Sequence, residues 1–412
     1  MPSSLVPDSS GPPARDVRAT ERPRRLRRAR RGTTVAFLLT GLVFASWAAR
    51  VPTRKAELGL TDAELAVAFV GLNAGAVIGL QVGAVVVSRL GSRRTLLVAL
   101  PMFAGMLLPL AVAPDLATLT LALALSALVN SVVDVAINDQ GVGIQQTYGR
   151  SLLAGMHALH SLGGVVGGAL AAGAVHVGLD VVSHFALIAG AVLVTSSIAN
   201  RVLLPPGELH GNQEEHGSAP LLGGWTGRLF VLGAAAFVFT FAEGSALDWS
   251  AVLLSDNRGA DHVAAAAGLA AFQAAVTIGR LVGDRLINRL GPRPIFVAGT
   301  LLAGGGFVAG LLEGSLTGAV IGLALLGLGL ATLLPISISA AGASGSLPVP
   351  VAVARVSTLG YLGSFTGPAL IGLLAARSSL PAALLLPAGA LILAATAATA
   401  LRPVPAQANR CR

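Results

Sequence analysis

The sequence predicts an all-α membrane protein of twelve transmembrane helices in two repeated six-helix halves, and three observations carry that prediction. Hydrophobic residues make up 54% of the 412 and charged residues 11%, with a mean hydropathy of +0.77, well above that of soluble domains. Twelve apolar runs of about 20 residues follow one another. Runs of that length let a helix satisfy its backbone inside hydrocarbon and are too long for the alternating strands of a barrel. Finally, the chain laid on itself at an offset of 200 positions falls into register. Asn73, Ile78, Gly79 and Gly83 meet Gln273, Ile278, Gly279 and Gly283, and Arg89-Leu90-Gly91 meets Arg289-Leu290-Gly291. Leu159, Gly163, Gly167 and Leu170 meet Leu359, Gly363, Gly367 and Leu370.

In chain order, residues 1–31 are rich in Pro, Ser and Arg and are expected to form a disordered, basic cytoplasmic tail. The first half, residues 32–204, holds spans 1 (33–50), 2 (63–90), 3 (95–113), 4 (116–146), 5 (152–177) and 6 (181–204). Span 1 ends in Trp47 and Arg50, an aromatic and a cation suited either to a headgroup boundary or to a cavity. Span 2 opens on Thr61-Asp62-Ala63-Glu64, a capping box, and carries glycines at every fourth position. Residues 205–226 are polar and glycine-rich and read as a cytoplasmic linker. The second half, 227–402, holds spans 7 (228–254), 8 (263–290), 9 (295–312), 10 (316–341), 11 (351–376) and 12 (381–401), with kinks expected at Pro335, Pro368 and Pro387. Residues 403–412 form a short cytoplasmic tail.

Charge sets the orientation. The net charge is +9 and the pI about 11.3, but 21 of the 28 basic residues lie in the N-terminal tail, the even-numbered loops and the C-terminus. That placement reads as topology rather than nucleic-acid binding, and it puts both termini in the cytoplasm. The one cysteine, Cys411, permits no internal disulfide and no cysteine-rich metal site.

Chemistry concentrates on span 4. Ser126, Asn130, Asp134 and Asn138 recur every fourth residue and form one polar stripe. A carboxylate at bilayer depth costs at least about 2.5 kcal/mol, so the stripe should face water or a partner helix rather than lipid. His157 and His160 on span 5 lack a third ligand for a metal, which favours a proton relay or a packing hydrogen bond. No phosphate-binding glycine loop and no nucleophile–base set is visible, so neither an enzyme nor a cofactor is expected, and no obligate protein partner is inferred.

Twelve spans in two repeated halves, with an Arg-Leu-Gly-x-Arg loop after the second span of each, resemble the major facilitator superfamily over residues 30–402. Its loop signature is Gly-x-x-x-Asp-Arg-x-Gly-Arg-Arg. Here Ser88 and Ser92, and in the second half Asn288 and Pro292, replace signature positions, with Asp284 one helical turn earlier. Asp134-Val-Ala-Ile-Asn138 is similar to the acidic-x-x-x-Asn motif on span 4 of the fucose permease branch of sugar/proton symporters. The blocks 44–50, 134–141 and 243–250 resemble a group of bacterial inner-membrane facilitators near that branch.

The resemblance implies alternating access around a cavity lined by spans 1, 4, 7 and 10, with a small polar solute, protons and the lipid bilayer as partners. Asp134 and Glu243 are the expected proton-coupling residues. Asn130, Asn138, Trp47, Asp248, Trp249, Gln273 and His157 are the expected substrate contacts, amides and tryptophans suiting a sugar-like ligand. Arg89, Gly91, Arg93, Arg94, Arg289, Gly291 and Arg293 are expected to gate. Arg280 and Asp284 are expected to pair with each other one turn apart, and Arg355 to form an inner gate or to contact an anion. The glycines of spans 2, 5, 8 and 11 are expected at the interface between halves. Drug or metabolite antiport is the alternative reading, and a non-transporting scaffold or receptor the second class.

Overall fold

The computed structural model describes residues 17–209, 224–345 and 347–401, and among them all regular structure is helical. Span 1 runs Val17–Ala48 and continues as Val51–Glu57; span 2 is Asp62–Leu90; span 3 is Ser92–Gly105 and Leu107–Val112. Span 4 is Leu116–Tyr148, span 5 Leu153–His176, and span 6 Val181–Ala199 with a 3₁₀ turn at Asn200–Val202. Span 7 is Gly227–Arg258, span 8 His262–Leu290, span 9 Pro292–Glu313, and span 10 Leu316–Leu330 and Leu333–Gly342. Span 11 is Val349–Ala375 and span 12 Leu380–Ala394 with a 3₁₀ turn at Ala395–Ala400. Among the described residues, eleven helical segments are long and apolar enough to cross a membrane. Span 8 is also apolar through its first 18 residues, 262–279, and its charges, Arg280, Asp284, Arg285 and Arg289, fall in the remaining part.

Local chemistry explains the breaks. Span 3 breaks at Met106, three residues before Pro109, and span 10 breaks at Ala331–Thr332, just before Pro335. A proline has no N–H for the carbonyl four residues back and its ring crowds that carbonyl. Pro368 and Pro387 stay inside continuous helices. The caps repeat at the 200-residue offset: Thr61 and Asp261 cap spans 2 and 8, and Asp115 and Ser315 cap spans 4 and 10. The Thr118 backbone N–H and hydroxyl hold the Asp115 carboxyl below the usual carboxylate range.

Two expectations need correction. The first is the tail: residues 1–16 lie outside the described residues, but from Val17 the basic segment is helical and continuous with span 1. The linker is likewise partly built. Pro206–Leu209 forms a short helix with Leu209 buried, and Thr226 caps span 7, while 210–223 lie outside the described residues, as do 402–412.

The second is the glycine ridges, which pack within halves. A Cβ at Gly79 or Gly83 would strike Leu128 or Val132 of span 4, and one at Gly279 or Gly283 would strike Leu328 or Thr332 of span 10. Gly163 and Gly167 abut Leu38 and Leu42 of span 1, and Gly363 and Gly367 abut Phe237 and Phe241 of span 7. Close helix approach therefore builds each half as two tight pairs, and of these eight glycines only Gly283 also reaches across, to Ala154.

Candidate functional site

The polar stripe of span 4 enters a hydrogen-bonded chain that reaches span 5. The Asn138 side-chain amide donates to the Asp134 carboxylate at 3.1 Å and to its backbone carbonyl at 2.9 Å. Its Oδ1 lies 3.2 Å from His157 Nε2, and the His157 ring lies 4.9 Å from Phe37 of span 1. One turn on, His160 Nδ1 lies 3.0 Å from the Thr40 hydroxyl, tying span 5 to span 1. Asn138 is fully buried, whereas Asn130 and Asp134 are half-buried, so the stripe opens progressively along the helix. Among the described residues no group of three potential metal ligands forms around these histidines.

The second half meets this chain through Arg280. Its guanidinium donates to the Ser161 hydroxyl of span 5 at 2.7 Å and pairs with Glu243 of span 7 at 3.3 Å. This corrects the expected pairing of Arg280 with Asp284. The two are one turn apart, but Asp284 is already occupied by the start of span 5. It accepts from the Ser151 hydroxyl at 2.6 Å, from the Ala154 N–H at 3.2 Å and from the Gly155 N–H at 2.7 Å. Asn288 completes the junction by accepting from the Ser151 N–H at 2.6 Å and donating to its carbonyl at 3.0 Å.

A neutral counterpart joins spans 2 and 11. Gln81 donates to the Thr358 hydroxyl at 2.8 Å and accepts from Arg355 at 3.0 Å, and the Arg355 guanidinium also lies 5.8 Å from the centre of the Trp225 ring. Gln146 of span 4 donates to the Gly342 carbonyl of span 10 at 3.3 Å. All these bonds between halves lie in the part of the bundle where spans 1 and 7 begin, hereafter the basal end. Tyr361 of span 11 lies within electrostatic range of Asp134.

Other expected site residues stand apart. Trp47 is 7% exposed and packs on Phe185 of span 6 at 6.4 Å, so its ring is taken up by the helix bundle rather than presented to a ligand. Trp249 donates its indole N–H to the Pro368 carbonyl at 3.0 Å, a contact within the second half. Asp248 and Gln273 are exposed on spans 7 and 8, outside the hydrogen-bonded chain. Arg89, Arg94, Arg289 and Arg293 are exposed at the basal end, beside Gly91 and Gly291, which turn the chain at φ of 80° and 88°. Arg93 donates to the Arg201 carbonyl within its own half. Arg50 donates to the Leu179 carbonyl and to His184, fastening span 1 to span 6.

Sequence reasoning missed Gln81, Ser161, Thr40, Thr358 and Tyr361. Gln81 is a polar residue isolated in an apolar span and Ser161 adjoins His160, signals that were present. Tyr361 and Thr40 carried none, because a single hydroxyl costs a membrane helix little.

Paired helices in two repeated halves, with a polar seam between them, are an arrangement suited to a membrane carrier whose halves move against each other. Comparison with known proteins gives the family. Residues 231–410 match the family model of the Major Facilitator Superfamily. The chain is 35% identical over 358 residues to an uncharacterized MFS-type transporter of Yersinia pestis, covering 85% of this chain and 90% of the relative. It is 29% identical over 355 residues to the membrane protein MosC of Rhizobium meliloti, covering 86% of each. The chain belongs to the major facilitator superfamily, and it is a multi-pass membrane transporter of a solute.

Solved structures share the fold at low identity. The outward conformation of FucP superposes with a TM-score of 0.76 at 15% identity, covering 90% of this chain and 97% of that one. The proton:xylose symporter XylE gives 0.70 at 12%, covering 91% and 95%, and the human organic anion transporter MFSD10 gives 0.70 at 16%, covering 90% and 99%.

Proposed function

We propose that this transporter couples the movement of a small polar solute to a proton by alternating access in a bacterial inner membrane, with both termini cytoplasmic. The halves 32–204 and 227–402 act as the two moving bodies and 205–226 as their connection. The observation that carries the reading is the unequal treatment of two carboxylates. Glu243 is held by Arg280 at 3.3 Å, whereas the hydrogen bond to Asp134 comes from a neutral amide at 3.1 Å. A carboxylate at membrane depth without a fixed cation is neutralised by a mobile one, and the proton is the smallest. Asp134 is therefore the coupling group and Glu243 a counter-ion that keeps Arg280 in place.

Asn130 and Asn138, one turn either side of this carboxylate, and His157, bonded to Asn138, offer both donors and acceptors, which suits a polyhydroxylated solute. FucP, a fucose:proton symporter, and XylE, a proton:xylose symporter, support that choice by fold alone. The test is uptake of candidate sugars and polyols by proteoliposomes with an imposed proton gradient. Asp134→Asn keeps volume and hydrogen bonding but removes titration. It should abolish gradient-driven accumulation while sparing counterflow exchange; full accumulation by this variant would remove Asp134 from the coupling role.

A further inference from the structure

We infer that the basic helical extension of span 1 is a docking strip for anionic phospholipid headgroups at the basal membrane surface. The extension is not uniformly charged around its axis. Leu26 packs on the protein core and Ala29 is fully buried. Arg25 pairs with Glu208 at 3.0 Å, and Arg30 lies 6.0 Å from the centre of the Tyr148 ring at the end of span 4. At about 100° per residue these four positions span one side of the helix. Arg24, Arg27, Arg28 and Arg31, spaced i, i+3, i+4 and i+7, occupy an arc of about 100° on the opposite side; all four are exposed, as Arg25 and Arg30 are, but those two are engaged by Glu208 and Tyr148. Setting membrane topology requires a number of cations in the segment, not their alignment on one face.

Depth selects the partner. Gly32, immediately after the strip, lies against the Ala199 carbonyl oxygen and the Val202 side chain, where span 6 ends. The arginines therefore begin within one turn of the hydrocarbon edge, at the level of the phosphodiesters. Arg201, exposed at the same end of span 6, adds to the charge there. Guanidinium groups pair with phosphate oxygens in bidentate fashion, and a stripe of four aligned along a helix can engage successive headgroups. Each cation near an anionic surface strengthens attraction about fivefold at low ionic strength.

The test uses purified full-length protein in mixed micelles holding equal phosphatidylcholine and phosphatidylglycerol, with retained lipid counted by native mass spectrometry. The wild type should retain phosphatidylglycerol at least tenfold over phosphatidylcholine at low salt and approach parity at high salt. R24Q/R27Q/R28Q/R31Q should lose the preference, the corresponding four-lysine variant should keep most of it, and R25Q, on the packed face, should keep it fully. Equal retention of the two lipids by the wild type, or an undiminished preference in the four-glutamine variant, overturns the inference. So does a salt-sensitive affinity for a single-stranded oligonucleotide without lipid preference, which assigns the strip to nucleic acid. Should the four-glutamine variant fail to insert, the wild-type salt titration and the lysine and R25Q variants decide the matter.

Discussion

Asp284→Asn should unlock the basal end of the transporter. Span 5 opens on Leu152, a residue with no side-chain acceptor, so the first N–H groups of that helix need partners from elsewhere. Gln145 Oε1 takes the N–H groups of Leu152 and Leu153 at 3.0 and 3.2 Å. Asp284 takes those of Ala154 and Gly155 from the other half, together with the Ser151 hydroxyl. An asparagine keeps one acceptor oxygen but loses the charge, and its NH₂ group confronts one of the former donors. A hydrogen bond to a charged group is worth about 1.5–3 kcal/mol net, and an anion at a helix N-terminus adds about 0.3–1 kcal/mol. The closed basal end should therefore lose on the order of 2–4 kcal/mol. That corresponds to roughly 30- to 900-fold in the equilibrium between closed and open basal states.

The readout is the distance between the far ends of the halves, which approach one another as the basal end opens. Ala56 and Asn257 are exposed near those ends of spans 1 and 7. In a Cys411→Ser background, nitroxides on Ala56→Cys and Asn257→Cys should give mainly one long distance by pulsed electron–electron resonance. Adding Asp284→Asn should introduce a second, shorter population, and Ser151→Ala, which removes one of the three bonds, a smaller one. Superimposable distance distributions for the parent and Asp284→Asn would show that the junction does not control the basal end.

Three further outcomes follow from the same contacts. Arg280→Gln strands a half-buried Glu243, and should cost about 1–3 kcal/mol after discounting for exposure, with most of the loss recovered in Arg280→Gln/Glu243→Gln; thermal melts in detergent measure both, and additive losses would refute the pairing. Gly163→Leu should separate spans 1 and 5 and lower the melting temperature, since even a Cβ there overlaps the Leu38 carbonyl, whereas Gly164→Leu, pointing into open space, should be tolerated; equal melts would refute the packing. Cys411, which lies outside the described residues, should react with a membrane-impermeant maleimide in inverted vesicles and not in intact spheroplasts, and labelling from outside would reverse the orientation.

How much could be read in advance depended on whether the signal was periodic. Apolar run length gave twelve spans, and the offset of 200 anticipated matching contacts that a sequence cannot display: Gly79 on Leu128 with Gly279 on Leu328, and Gly83 on Val132 with Gly283 on Thr332. The stripe on span 4 was legible because a four-residue period is a helix face. Partner choice was not. Arg280 and Asp284 share a face at the right spacing, yet each bonds to another helix, because a partner from a packed neighbour competes with the one a turn away. Trp47 read as a boundary or cavity residue because its sequence context is the same whether the ring meets lipid, ligand or Phe185. The glycines announced close approach without saying to which helix.

The two junctions between halves show what the repeat preserved and what it changed. Spans 8 and 5 meet as spans 2 and 11 do, and at the 200-residue offset Gly155 corresponds to Arg355 and Asp284 to Ala84. Where span 5 offers bare N–H groups to an acid, span 11 begins with Pro348 as its cap and Pro350 in its first turn, so it has fewer donors to satisfy. No acid is needed opposite it, and Ala84 is adequate. The bonding there shifts to side chains, with Gln81 bridging Arg355 and Thr358. One junction thus rests on a carboxylate at a helix terminus with three donors, the other on a neutral amide with one cationic and one neutral partner. Charge-assisted bonds are about twice as strong as neutral ones, and Asp284 accepts three of them where Gln81 accepts one, so the span 8–span 5 junction should yield last when the basal end opens. Its acid is then the part of the seam on which the conformational equilibrium turns.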